Sequence, residues 1–300
     1  MSVENKTLRH FLIITFAVNW TMAAVFYLAP FEYGGVAGTI MAMAYMLVPG
    51  IVAVTLDWRA GRPIRSSLWL NFSLNRWWLV AWVLMPLLAF AALGAAILVP
   101  GIGFDIEMEG LFEQLGVFLS DDELAEARDQ VGEFPPGVFV ALQLGQGLIA
   151  GATINAVFGL GEELGWRGLM LRELAAKGFW KSAGIIGVVW GIWHAPLILQ
   201  GHNYPDHPVI GVAVMTLWCL LLSPLFSWVT LKSRSVIAAA IMHGTLNATF
   251  AFSFIFLDRI IPLITGLNGL IGAAVLVVAN AALYWFGRPE LTADQWSRRG

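Results

Sequence analysis

Apolar residues run along this chain in long blocks separated by short polar segments. A transmembrane helix needs about 20 mostly apolar residues. Eight runs meet that length, at 11–29, 36–56, 77–99, 137–160, 183–200, 208–230, 236–257 and 261–286. Several contain Pro or Gly, which membrane helices tolerate because neighbouring helices satisfy the freed backbone groups. One long polar stretch, 101–135, interrupts the series. Within it Met108, Leu111, Phe112, Leu115 and Phe118 recur at helical spacing. The run Ser120 to Glu123, SDDE, reads as a capping box opening a second short helix. The pattern predicts an all-α fold, a polytopic integral membrane bundle of about eight transmembrane helices with a helical hairpin inserted at 101–135. Residues 1–300 read as a single integral domain.

Composition agrees with the pattern. The chain is 58% hydrophobic and 12% charged, with 14 Trp and 19 Phe. A soluble domain carries about 25% charged residues. Cys219 is the one cysteine, which excludes an internal disulfide framework and any multi-cysteine metal site. The first apolar run is long enough to span and lacks a small-residue cleavage site, so it reads as a span and not a removable leader.

Charge adds orientation. Of 17 Lys and Arg, all but Arg128 and Arg259 fall in alternate segments: the N-terminus, 57–76, 161–182, 231–235 and the tail. The positive-inside rule then places both termini in the cytoplasm, with the plasma (inner) membrane as the expected location. Segment 101–135 carries ten acidic residues and one basic, a net charge of −9. It is therefore expected outside, as an acidic amphipathic insertion on or near the membrane surface.

Polar residues within the spans carry the candidate chemistry, since ionisable groups are rare there. Glu162, Glu163 and Arg167 stand at the end of the fourth run. Trp190 and His194 are four residues apart in the fifth, and His243 and Asn247 four apart in the seventh, so each pair shares a helix face. All three sets are expected to converge on one cavity open to the cytoplasm. Gly147 with Gly151 and Gly187 with Gly191 make GxxxG steps that suit close packing of the fourth and fifth runs. A second polar cluster, His202, Asp206 and His207, reads as a solvated turn built on Pro205, with metal binding as its alternative.

EExxxR, an aromatic-xxx-His and HxxxN in successive helices resemble the CPBP family of intramembrane endopeptidases. That family includes the type II CAAX prenyl proteases and bacteriocin-processing or immunity relatives. The resemblance covers 137–257, the expected catalytic helices. Trp190 stands where the family usually has Phe, and this keeps an aromatic wall. The resemblance implies that Glu162 acts on water, while Glu163 and Arg167 are more structural.

Peptide hydrolysis needs an activated water, an oxyanion stabiliser and a source of protons. Glu162 suits the base, His194 a partner sharing its water, and His243 with Asn247 the oxyanion donors. Glu163 and Arg167 suit an i,i+4 ion pair. A metal variant would use Glu162, His194 and His243 as three ligands with an open position. The cofactor thus stays open between one divalent metal, such as zinc, and none. HExxH, GxSxG and GxGD are absent from the sequence. Hydrolysis near the cytoplasmic membrane face is the leading reading. The alternatives are a catalytically silent scaffold or immunity-type protein of the same fold and a proton-coupled transporter. Expected partners are the lipid bilayer and a peptide or membrane-protein substrate, lipidated or not, and no nucleic acid.

Overall fold

The computed structural model describes residues 3–29, 35–116 and 119–297. Phe118 of the amphipathic pattern and the tail residues Arg298 and Arg299 lie outside them. Among the described residues the chain is helical throughout, with one isolated bridge between Phe104 and Leu257. The N-terminal part holds α1 (Val3–Leu28), α2 (Val36–Arg59), the single turn α3 (Ile64–Ser67) and α4 (Arg76–Ala96). The acidic stretch follows as α5 (Glu109–Leu115) and α6 (Asp121–Gly132), then α7 (Pro136–Ala152) and α8 (Ile154–Glu163). The remainder is α9 (Leu171–Glu173), α10 (Phe179–Trp193), α11 (Ala195–Ile198), α12 (Pro208–Ser233), α13 (Val236–Thr249), α14 (Leu270–Ala282) and α15 (Asp294–Ser297).

Among the described residues six helices are long and apolar enough to cross a membrane, Lys6–Leu28, Val36–Arg59, Arg76–Ala96, Pro208–Ser233, Val236–Ser253 and Leu270–Gly287, or seven if the bent pair Asp121–Gly132 and Pro136–Ala152 is one span. Two of the eight expected runs behave differently. The 137–160 run breaks at Thr153, where φ −118° and ψ −96° separate α7 from α8. The 183–200 run becomes the 15-residue α10 followed by the short α11. A 15-residue helix rises about 22 Å, short of a hydrocarbon core of about 30 Å. Both segments are held by protein on their inner faces: α8 lies against α2 and α13, and α10 against α12. Enclosure relaxes the length that lipid would demand.

The two GxxxG steps do not meet each other. A Cβ on Gly151 would lie 2.6 Å from Thr245 Cα of α13, and one on Gly187 would lie 2.5 Å from Leu220 Cα of α12. Each step therefore seats its helix on a different neighbour. These contacts bring α13 and α12 to either side of the segment that carries the charges.

The acidic insertion keeps the expected amphipathic logic. Met108 and Phe112 are buried, and Ser120 and Glu123 form the capping box, with Ser120 N donating to Glu123 Oε2 at 2.9 Å. Arg128 grips Glu109 with two hydrogen bonds, 2.6 and 2.8 Å, and lies over the Phe112 ring. The chain then bends by 102° between α6 and α7.

Candidate active site

Glu162 and Glu163 are not at a helix end. The helix continues past them through a π-helical stretch, Leu164–Met170, into α9. At about 1.5 Å per residue they sit roughly 15 Å from its Glu173 end. Every residue from 161 to 171 is buried. Hydropathy ended the run at 160 because charge begins there, yet protein and not water covers these charges. Gly161 makes the enclosure tight, since a Cβ there would lie 2.8 Å from Leu47 Cα of α2. π-helical turns recur at functional sites, and this one carries both Trp166 and Arg167.

Glu163 is the hub of the cluster. Arg167 Nη1 lies 3.1 Å from its Oε2 and donates to its Oε1 at 3.2 Å, with both side chains fully buried. His243 Nδ1 reaches the same Oε1 at 2.8 Å, and a carboxylate there requires that nitrogen to carry the hydrogen. Among the described residues Arg167 Nε and Nη2 have no hydrogen-bond partner. The guanidinium instead lies over the Trp190 and Phe226 rings, 4.7 and 4.8 Å from their centroids, where the ring quadrupoles attract it.

Glu162 is held differently. Its Oε2 accepts from Trp190 Nε1 at 2.7 Å and from Trp166 Nε1 at 3.2 Å. Its Oε1 faces His243 Nε2 at 3.8 Å, too long for a direct hydrogen bond. His194 donates Nδ1–H to the Trp190 carbonyl at 2.8 Å, because a carbonyl can only accept, which leaves Nε2 as an acceptor. Behind it Trp193 Nε1 donates to Asn19 and Tyr45 Oη donates to the Trp193 carbonyl. These bonds fix the end of α10.

A cavity of about 250 Å³ joins Glu162, His194, His243 and Asn247. Glu163 and Arg167 do not line it. Asn247 is exposed at its margin, one turn from the buried His243. His202 and Asn203 also line it, from the connection after α11. The His202 ring lies parallel to His194 with centroids 6.3 Å apart, and burial pushes its pKa down to about 4. The expected solvated turn is therefore divided: His202 turns inward, while Asp206 and His207 stay exposed. The expected direction of the cavity also changes. Its wall includes the connection opposite the basic ends of α2 and α12, so it extends away from the basic loops.

Among the described residues no group of three His, Cys, Asp or Glu side chains is disposed to hold a metal ion. His243 Nδ1 is committed to Glu163, His194 Nδ1 to a carbonyl and Glu162 Oε2 to two indoles. These bonds leave His243 Nε2, His194 Nε2 and Glu162 Oε1 without a hydrogen bond among the described residues, and a carboxylate or carbonyl on the other ring nitrogen is also how metal-binding histidines are oriented.

Sequence reasoning missed the indole donors. Trp166 follows Glu162 by four residues, a spacing that places it on the same face, and Trp190 was read only as a wall. It also missed Asp57, a lone carboxylate immediately after the second run. Asp57 is fully buried and takes two bonds from Arg172, at 2.6 and 2.8 Å, one from Arg62 at 3.1 Å and one from Ser67 at 2.7 Å.

Fold and cluster together define a membrane-embedded helical protein with a protein-enclosed carboxylate, histidine and arginine site. Residues 144–249 match the family described as Type II CAAX prenyl endopeptidase Rce1-like. That is the group to which the three motifs pointed, and the matched segment contains all six proposed site residues. The chain is also 31% identical over 124 residues to a CAAX prenyl protease 2 of Methanococcus maripaludis. This similarity covers 39% of the chain and 45% of that relative, so less than half of the relative's length is spanned.

Proposed function

We propose that the chain is an intramembrane endopeptidase in which Glu162 activates water against a peptide carbonyl. The observation that carries this reading is the position of Glu162, fixed by two indole N–H groups on one oxygen while the other faces a cavity shared with His194, His243 and Asn247. Glu162 takes one proton from water as the oxygen bonds to the carbonyl carbon. His194 Nε2 accepts the water's other hydrogen and orients it. Asn247 donates to the oxyanion, as does His243 Nε2 when its ring carries a second proton. The C–N bond then breaks, and Glu162 returns its proton to the leaving nitrogen. Preorganised donors of this kind act strongly in a water-poor site. Glu163 and Arg167 act through His243 as positioning residues.

The substrate class this reading favours is a membrane-tethered C-terminal peptide such as a prenylated CAAX tail. Proteomics of native membranes with wild-type protein and Glu162→Gln tests the activity: a C-terminal cleavage absent from the variant supports it, and identical peptide sets overturn it. The proposed orientation places both termini in the cytoplasm, with hydrolysis at mid-depth. In a Cys219→Ser background, a cysteine in 121–130 should react with an impermeant thiol reagent on intact cells and one in 61–66 should not. The opposite pattern inverts the protein.

A further inference from the structure

A second cavity lies away from the Glu162 site, at the basic end of the bundle. It measures about 1080 Å³ and opens between the loop after α3, the end of α12 and the chain after α14. Arg65, Lys232, Arg234 and Arg288 line it, all exposed, and none forms an ion pair among the described residues. Glu290 and Asp294 share the lining, and Asp294 has a partner of its own. Four cations against two carboxylates leave the pocket with a net positive charge.

The floor is rigid. Asn71 Nδ2 donates to the Arg234 carbonyl at 2.8 Å and Asn75 Nδ2 to the Ser233 carbonyl at 3.2 Å. Val236 N donates to the Trp69 carbonyl at 3.1 Å. These bonds occupy the carbonyls at the end of α12 and stitch two loops together. The far wall is held by Trp296 stacked on Trp69, centroids 4.3 Å apart and planes within 12°. Trp69 (φ 51°), Arg234 (φ 54°) and Arg288 (φ 38°) all sit in the left-handed region. Such strain in non-glycine residues clusters at ligand clamps.

The surroundings say what kind of anion fits. Tyr284, Trp285 and Phe286 precede Arg288 and are 56%, 66% and 87% exposed. Phe72 and Leu74, on either side of the lining residue Ser73, are 73% and 75% exposed. Aromatic side chains of this kind sit at the headgroup level of membranes, and basic pockets between spanning helices take lipid headgroups. We infer that this pocket binds the phosphate headgroup of an anionic phospholipid, with the exposed apolar residues against its acyl chains. The inference is independent of the hydrolytic reading.

The test is native mass spectrometry of the full-length protein titrated with phosphatidylglycerol and, separately, phosphatidylcholine. Wild type should retain phosphatidylglycerol preferentially. Removing two pocket charges in Arg65→Gln/Arg288→Gln should weaken that binding about 25-fold, at roughly fivefold per basic side chain. Both residues are exposed, and unchanged melting in phosphatidylcholine nanodiscs checks that the fold is intact. Lys177→Gln/Lys181→Gln removes two exposed charges outside the pocket lining and should change binding by less than about twofold. Millimolar inorganic phosphate should not displace the lipid. Equal retention of the two lipids, equal binding by the Arg65/Arg288 variant, an equal loss in the Lys177/Lys181 variant, or displacement by free phosphate would each overturn the assignment.

Discussion

Two buried carboxylates in this bundle are treated in opposite ways. Asp57, at the end of α2, has both oxygens taken: Arg172 grips them together, and Arg62 and Ser67 add one bond each. Arg172 also donates to the Ser67 carbonyl and to Glu173. The knot ties α2 and α3 to the helix that carries the site. Glu162 is fixed by one oxygen only, and the other faces an open volume. A saturated carboxylate suits a structural role, whereas a half-saturated one suits the base proposed for Glu162. Glu163 stands between them, fully buried and engaged by Arg167 and His243, with Oε2 lacking a hydrogen-bond partner.

The largest effect should come from the half-saturated member. Glu162→Gln keeps the shape and removes the base, and general base catalysis contributes about 10²–10⁴-fold. Turnover on a confirmed substrate should fall by that factor with little change in melting, and His194→Ala should follow it. A purified variant holding about a tenth of wild-type turnover or more would remove Glu162 from the role of base.

Asp57→Ala should give the reverse profile. Removing one partner of a buried ion pair costs about 3–5 kcal/mol where the other charge is stranded, and here Arg172 and Arg62 keep Glu173, so the cost lies below that range. Detergent melting should fall, while the folded fraction, counted by gel filtration, keeps near-normal turnover per molecule. Normal melting with lost turnover would make the knot catalytic. Glu163→Gln should lose both, since it strands Arg167 and releases His243. Full activity with unchanged melting would show that the hub is dispensable.

The contrast between the two carboxylates was only partly readable in the sequence. The bundle, the order of the motifs and the i,i+4 spacing of Glu163 and Arg167 were legible, because long apolar runs and helical periodicity are local properties. The depth of Glu162 was not. A hydropathy window reads two glutamates as the end of a span, whereas Gly161 packed on α2 lets the helix continue inside protein. The partners of the GxxxG steps and the inward turn of His202 depend on contacts between distant segments, which one chain's spacing does not specify. Trp190 shows the limit most clearly. Its ring was expected as a wall, but its N–H is what holds Glu162 in place.

Trp190→Phe therefore gives a smaller effect that isolates the hydrogen bond. It keeps a ring over Arg167 and deletes the donor to Glu162. A hydrogen bond to a charged group is worth about 1.5–3 kcal/mol, so kcat should fall roughly 10–100-fold with a modest change in melting. An unchanged kcat would mean that Trp166 alone fixes the carboxylate.

The smallest effect belongs to charges that are neither saturated in the core nor facing a cavity. In the α5–α6 hairpin, Arg128 holds Glu109 below its ordinary 4.5, and the Ser120 backbone N–H and hydroxyl do the same for Glu123. A carboxylate lowered in the folded state stabilises it above the unfolded pKa, and that contribution disappears as pH falls through the folded value. The hairpin should thus be intact at neutral pH and open only below pH 4.5. Spin labels replacing the exposed Glu113 and Ala125 would report the separation of α5 and α6 during an acid titration in nanodiscs. Arg128→Gln should move the opening midpoint upward, towards 4.5, by removing the Glu109 share, and Ser120→Ala, which deletes the hydroxyl but keeps the backbone N–H, should move it less. Because both pairs are exposed and screened by salt, raising ionic strength should reproduce part of the Arg128→Gln shift. A midpoint unmoved by either substitution would show that the buried Met108 and Phe112, and not the acidic surface, hold the hairpin closed.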